Sequence, residues 1–196
     1  MKIELKIIDF LARNMDKRFT INEIAKSTGG YCSFVHRTVN RLFKEGIIAK
    51  TKAGKAYLCT LNLENEKTLA LMHLSEIEKK SEFYERDKEL GIMLEDFASS
   101  LKPKPSILSI VLFGSYAKGT AAEESDIDIL LLVAKGGLNT EKVARDIYAK
   151  YGKEISPIVM TMSDFRKQKD KALIKEIASS HYVLHGADNF VKAVFK

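Results

Sequence analysis

The chain has 196 residues, enough for one large domain or two small ones with a core in each. Charged residues make up 30% and the hydrophobic set 45%, an ordinary composition for a globular protein, and no apolar run reaches the ~18 residues that span a bilayer. The opening Met1-Lys2-Ile3-Glu4 lacks the layout of a signal peptide, so the expected location is the cytoplasm, with no membrane partner. Cys32 and Cys59 are too few for a disulfide framework or a zinc cluster, and His181 and His185 have no acidic residue spaced to complete a metal site.

The net charge of +6 is unevenly placed. Residues 1–62 hold 12 Lys/Arg against 5 Asp/Glu, a balance of +7, which leaves 20 against 21, or −1, for the rest. This asymmetry predicts a domain facing nucleic acid joined to a neutral one.

In chain order, Ile3, Ile7, Ile8 and Leu11 have helical spacing. Thr20 followed by Glu23 reads as a capping box opening a second helix with Ile21, Ile24 and Ala25 inward, broken by Gly29-Gly30. Ser33 reads as the cap of a third helix with Val35, Val39 and Leu42 inward, stopped at Gly46. Ile47–Ala49 and Ala56–Cys59 read as short strands around the turn Lys52-Ala53-Gly54-Lys55. Helix, helix, turn, helix and basic hairpin is the element order of a winged helix-turn-helix, and residues 1–62 resemble that family in this order and in the stretch Phe34 to Ile48. The resemblance implies duplex DNA as a partner. The third helix would be the recognition helix, with His36, Arg37, Asn40, Arg41 and Lys44 outward as donors to phosphates and base edges. Lys50, Lys52 and Lys55 would lie on the wing.

Glu64 to Ser100 is helical in character. Leu69, Leu71, Met72 and Leu74 are apolar, and Glu76 to Glu89 is densely charged, which predicts a solvated connector over residues 63–84 with a break near Ser81. Leu90, Met93, Leu94, Phe97 and Leu101 resume helical spacing, and Pro103 and Pro105 end that helix. An alternating pattern follows: strand Ile107–Phe113, a glycine turn and short helix, strand Ile127–Val133, helix Thr140–Tyr151, strand Glu154–Met162, then a helical tail capped by Ser163-Asp164 and containing Leu173, Ile174 and Ile177.

The chemistry concentrates in Phe113-Gly114-Ser115-Tyr116-Ala117-Lys118-Gly119 and Ser125-Asp126-Ile127-Asp128-Ile129. Asp126 and Asp128 alternate in a strand and so share a face. Side by side they repel unless a cation lies between them, and hard oxygen ligands favour magnesium, held through carboxylates and substrate phosphates. Gly114 allows a phosphate close to the backbone, Ser115 offers a hydroxyl and an N–H at a helix start, and Lys118 stands one turn further on. The step from Ser115 to Asp126 leaves room for a short helix and a turn back, so phosphate loop and carboxylate pair can meet in one cleft.

These residues resemble the signature of the DNA polymerase β-like nucleotidyltransferases: a hydrophobic residue, Gly, Gly or Ser, then, about ten residues on, Asp-hydrophobic-Asp-hydrophobic. Within that superfamily, Gly-Ser-Tyr-Ala-basic-Gly and Ser-Asp-Ile-Asp are similar to the minimal nucleotidyltransferase group, over roughly residues 85–196. The expected fold is therefore α+β: a winged helix-turn-helix at 1–62, a helical connector at 63–84, and a nucleotidyltransferase-like α/β domain with a small mixed sheet at 85–196. The resemblance implies a magnesium-dependent transfer of a nucleoside monophosphate, AMP from ATP, to a hydroxyl acceptor, in this group often on a partner protein. Gly114, Ser115 and Lys118 would hold the nucleoside triphosphate, and Asp126 and Asp128 the metal. The family's third carboxylate is expected in Glu154-Ile155-Ser156-Pro157-Ile158-Val159, where Ser156 stands at its place and Glu154 is the candidate substitute. The alternative is a DNA-binding regulator whose C-terminal module senses nucleotide with weak catalysis.

Overall fold

A computed structural model describes residues 1–101, 104 and 106–195 and divides the chain into two units, Met1–Glu78 and Lys79–Lys196. The division falls inside the stretch read as a connector. Pro103 and Pro105 lie outside the described residues. Among the described residues no helix is long and apolar enough to cross a membrane.

In the first unit, α1 (Ile3–Arg13), α2 (Ile21–Thr28) and α3 (Cys32–Lys44) accompany a three-stranded antiparallel sheet of β1 (Phe19–Thr20), β2 (Ile48–Ala53) and β3 (Ala56–Leu61) in the order β1-β3-β2. The apolar positions converge as their spacing requires: Ile7, Ile8, Leu11, Ile24, Val35, Val39, Leu42, Ile47 and Ile48 are each at most 2% exposed. At about 1.5–3 kcal/mol for each large side chain removed from water, this cluster is the main stabilising term of the unit. The capping box is present, with Thr20 accepting from the Glu23 N–H and the Glu23 carboxylate accepting from the Thr20 N–H at 2.7 Å.

Three local expectations change. Ser33 does not cap α3; the cap lies two residues earlier, at Tyr31, with no side-chain hydrogen bond. The hairpin turn is tighter than expected, because Lys52 and Ala53 pair with Tyr57 and Ala56 and leave Gly54-Lys55 as the loop. Phe19 and Thr20 also pair with Cys59 and Leu58, a two-residue strand too short to show periodicity.

The charged stretch is less solvated than its composition suggests. Within α4 (Glu66–Arg86), Glu76, Lys79 and Phe83 are buried, because they recur at three- and four-residue steps along one helix face. The break lies at Asp87 rather than near Ser81. Asp87 ends α4 through its N–H to the Phe83 carbonyl, and its carboxylate accepts from the Leu90 N–H at 3.1 Å, capping α5 (Lys88–Leu101).

In the second unit, β4 (Ile107–Leu112), β5 (Ile127–Val133), β6 (Ile155–Thr161) and β7 (Tyr182–His185) form a four-stranded sheet in the order β6-β5-β4-β7. β5 and β6 run parallel and the other pairs antiparallel, so the sheet is small and mixed. Pro157 is tolerated because β6 is an edge strand. One face carries Ile127, Ile129, Leu131 and Val133 against α5 and α7 (Glu141–Tyr151). The other carries Leu130 and Leu132 against α8 (Met162–Lys167), α9 (Ala172–Ser179) and α10 (Ala187–Phe195) through Phe165, Ile174, Ile177 and Phe190. The cap of α8 is Thr161, which accepts from the Asp164 N–H at 3.1 Å, rather than Ser163-Asp164. His181 is buried beside Phe190, and His185 ends β7.

Candidate active site

The turn after β4 is built by a glycine that has two reasons to be there. Phe113 is extended, and its N–H donates to the Asp128 carbonyl at 3.0 Å, tying the end of β4 to β5. Gly114 then takes φ +70 and opens α6 (Gly114–Lys118). A Cβ at Gly114 would lie 2.0 Å from the Asp128 Oδ2 and 2.8 Å from its Cγ. Both the left-handed backbone and the carboxylate therefore exclude a side chain. α6 has five residues, so what it offers an anion is its free N–H groups more than a summed dipole. The turn after it is closed by the Thr120 N–H to the Ser115 carbonyl at 3.0 Å.

The loop back to β5 is held by Ser125, whose hydroxyl accepts from the Ala122 N–H at 2.9 Å while its own N–H donates to the Ala122 carbonyl at 3.1 Å. Asp126 lies one residue ahead of β5 and is exposed; Asp128 is inside the strand and half-buried. By alternation Asp128 shares its face with Leu130 and Leu132, the face that α9 covers. Burial raises the Asp128 carboxyl above its ordinary range, the charges of Asp126 and Glu176 push the same way, and Lys118 opposes them. Lys118 itself is paired with Glu176 of α9, Nζ to Oε1 at 2.6 Å.

Gly114, Ser115, Lys118, Asp126 and Asp128 are thus neighbours on one rim of the sheet. Glu154 is placed differently. It is exposed just ahead of β6 and lines a shallow depression with Ala144, Arg145 and Tyr148 of α7, while its carbonyl accepts from the Ile127 N–H at 2.9 Å. Ser156 pairs directly with Asp128 in the parallel β5–β6 register, so it lies one strand spacing, about 4.8 Å, from it on the same face. Among the described residues no group of three or more His, Cys, Asp or Glu is arranged to hold a metal ion. The carboxylates present are a two-ligand set, which suits a cation completed by phosphate oxygens and water. Glu176 is the residue near the site that sequence reading missed. Its helix announces only its apolar stripe, and no local spacing connects residue 176 with 118.

A model of the nucleotidyltransferase domain matches residues 93–185. Of the curated relatives, "Putative protein adenylyltransferase MJ1305" of Methanocaldococcus jannaschii is 36% identical over 54% of this chain and 78% of its own length. The chain belongs to the nucleotidyltransferase family. "Putative protein adenylyltransferase MJ0604" of the same organism is 34% identical over 47% of this chain and 94% of its own. A solved structure described as "Crystal structure of the toxin-antitoxin with AMP-PNP" is 23% identical, with a TM-score of 0.38 over 51% of this chain and 81% of that one. The nucleotidyltransferase match spans the β4–α6 turn and β5, and ends at His185, the last residue of β7.

In the first unit, His36, Arg37, Arg41 and Lys44 are exposed on α3 and Asn40 is half-buried. Arg41 is tied to Glu4 at 2.9 Å and Glu45 at 3.1 Å. Arg37 lies over the Phe34 ring, 5.7 Å from its centroid. Asn40 bonds His36 at 2.9 Å and also accepts from Lys50, which lies over Phe43. Lys52 and Lys55 are exposed on the hairpin.

Proposed function

We propose that this nucleotidyltransferase is a magnesium-dependent adenylyltransferase, which moves AMP from ATP to a hydroxyl on a protein partner, and that residues 1–62 form a winged helix-turn-helix gripping duplex DNA. The observation that carries the catalytic reading is the contact of Gly114 with Asp128, because it joins the phosphate-loop half of the motif to the carboxylate half. The amide groups and hydroxyl of the Gly114-Ser115 turn bind phosphate oxygens, and Lys118 reaches the outer phosphates. Asp126 and Asp128 hold magnesium, which neutralises phosphate charge and polarises the acceptor oxygen when bound. The relatives named as protein adenylyltransferases favour ATP and a protein acceptor. Incubation with α-labelled nucleoside triphosphates, magnesium and cell extract tests the reading. Label from ATP on a protein band supports it, and no label from any nucleotide removes it.

The DNA reading is supported by the +7 balance of residues 1–62 and by the exposed cations of α3 and the β2–β3 hairpin. A second reading, a DNA-binding regulator that senses nucleotide and transfers weakly, is favoured by Ser156 beside Asp128. Under it, Ser156→Asp raises turnover, since a carboxylate there faces Asp128 and accepts the attacking proton. Under the first reading, Ser156→Asp leaves turnover unchanged or lowers it.

A further inference from the structure

We propose that Glu176 is the proton acceptor of this site, held in reserve by Lys118 and released when the triphosphate draws Lys118 away. The inference rests on the transferase reading above and supplies the acid that β6 lacks.

Three observations converge on Glu176. It projects from α9, whose Ile174 and Ile177 pack on the sheet face that Asp128 shares with Leu130 and Leu132. Its carboxylate takes the ammonium of Lys118, at 2.6 Å, and Lys118 ends the five-residue helix whose first residue abuts Asp128. Its charge is felt at Asp128 together with that of Asp126. Three carboxylates and one lysine thus share the rim. The Lys118–Glu176 pair is open to water on both sides, with side chains 45% and 38% exposed. Such a pair is weak and readily exchanged, whereas a polyanion with several charged oxygens is the stronger partner for a lysine.

The step balances as follows. The acceptor hydroxyl oxygen attacks the α-phosphorus and forms the new O–P bond. The bond from that phosphorus to the oxygen bridging to the β-phosphate breaks, and its electron pair leaves with pyrophosphate. The hydroxyl proton passes to a Glu176 oxygen and from there to water.

The test compares wild type, Glu176→Gln and Glu176→Asp as full chains, measuring Mg-ATP affinity by calorimetry and transfer from α-labelled ATP into cell extract across pH. Glu176→Gln should bind Mg-ATP two- to fivefold more tightly, the range of an exposed ion pair, yet transfer about 100-fold more slowly. It should also lose the acidic limb of the pH–rate profile, and Glu176→Asp should recover part of the rate. Weaker Mg-ATP binding by Glu176→Gln with turnover of the bound complex unchanged would overturn the proposal, reducing Glu176 to a support for Lys118. Turnover within threefold of wild type overturns it as well, while a wild type that labels nothing removes the transferase reading and this proposal with it. A wild type that binds no triphosphate at all removes the transferase reading itself.

Discussion

Of the turns in this chain that place glycine at positive φ, the β2–β3 hairpin and the β4–α6 turn do so for different reasons. In the β2–β3 hairpin, Gly54 has φ +60 and nothing within 4 Å of where a Cβ would stand; the turn needs only the backbone conformation. In the β4–α6 turn, Gly114 has φ +70 and the Asp128 carboxylate where the Cβ would be. The first glycine shapes a surface hairpin whose Lys52 and Lys55 are exposed. The second makes room for a contact between elements far apart in sequence. The same contrast separates the two units. The cations of the first lie exposed along α3 and the hairpin, whereas the rim of the second packs opposed and like charges around the half-buried Asp128.

The largest effect should come from the carboxylates. Asp126→Asn with Asp128→Asn should lower magnesium-dependent ATP affinity more than about 100-fold, because a divalent ion loses both of its protein charges. Calorimetry with and without magnesium measures this, and unchanged affinity removes the metal assignment. Next is the glycine pair itself. Gly114→Ala should weaken ATP binding about 100-fold and lower Tm, since either the turn or Asp128 must move. Gly54→Ala should cost only about 1 kcal/mol of stability and leave ATP binding intact. Equal effects at the two positions would erase the distinction.

On the basic unit the expected losses are smaller. Arg37→Ala should weaken duplex DNA binding about tenfold at 0.1 M salt, and Arg41→Ala only about twofold, because Arg41 already spends its charge on Glu4 and Glu45. Fluorescence anisotropy on a salt series reads both. A larger loss for Arg41→Ala would show that DNA displaces those carboxylates.

The smallest effect concerns Asp128 in the absence of magnesium. Its carboxyl is raised from 3.8, first by burial and then by Asp126 and Glu176, so the folded state holds its proton more tightly than the unfolded chain does. The resulting stabilisation is full at acid pH, begins to fall as pH rises past 3.8, and is gone above the folded value. Asp128→Asn escapes that loss. At pH 7 its Tm should exceed that of wild type, with the gap closing as pH falls toward the ordinary carboxylate range. Differential scanning calorimetry at pH 7 and at acid pH checks the sign. An Asn variant less stable at pH 7 would mean that the carboxylate accepts hydrogen bonds worth more than its burial costs.

What the sequence determined by itself was whatever depends on near neighbours along the chain. The Thr20–Glu23 capping box spans three residues, the stripe of Ile7, Ile8 and Leu11 follows from the helical period, and the uneven charge is a count. Gly114-Ser115 and Asp126-Ile127-Asp128 could be read because one short helix and a loop separate them. Tertiary structure decided the rest. β7 is a four-residue edge strand with no periodicity of its own, and it is a strand because β4 offers it hydrogen-bonding partners. Asp87, not Ser81, divides the long helical stretch because its carboxylate finds the Leu90 N–H. Ser156 stands beside Asp128 through the parallel register of β5 and β6, and Glu176 reaches Lys118 across 58 residues. Such contacts follow from which faces pack together, a condition that acts on the whole unit at once and leaves no mark in any single stretch of residues.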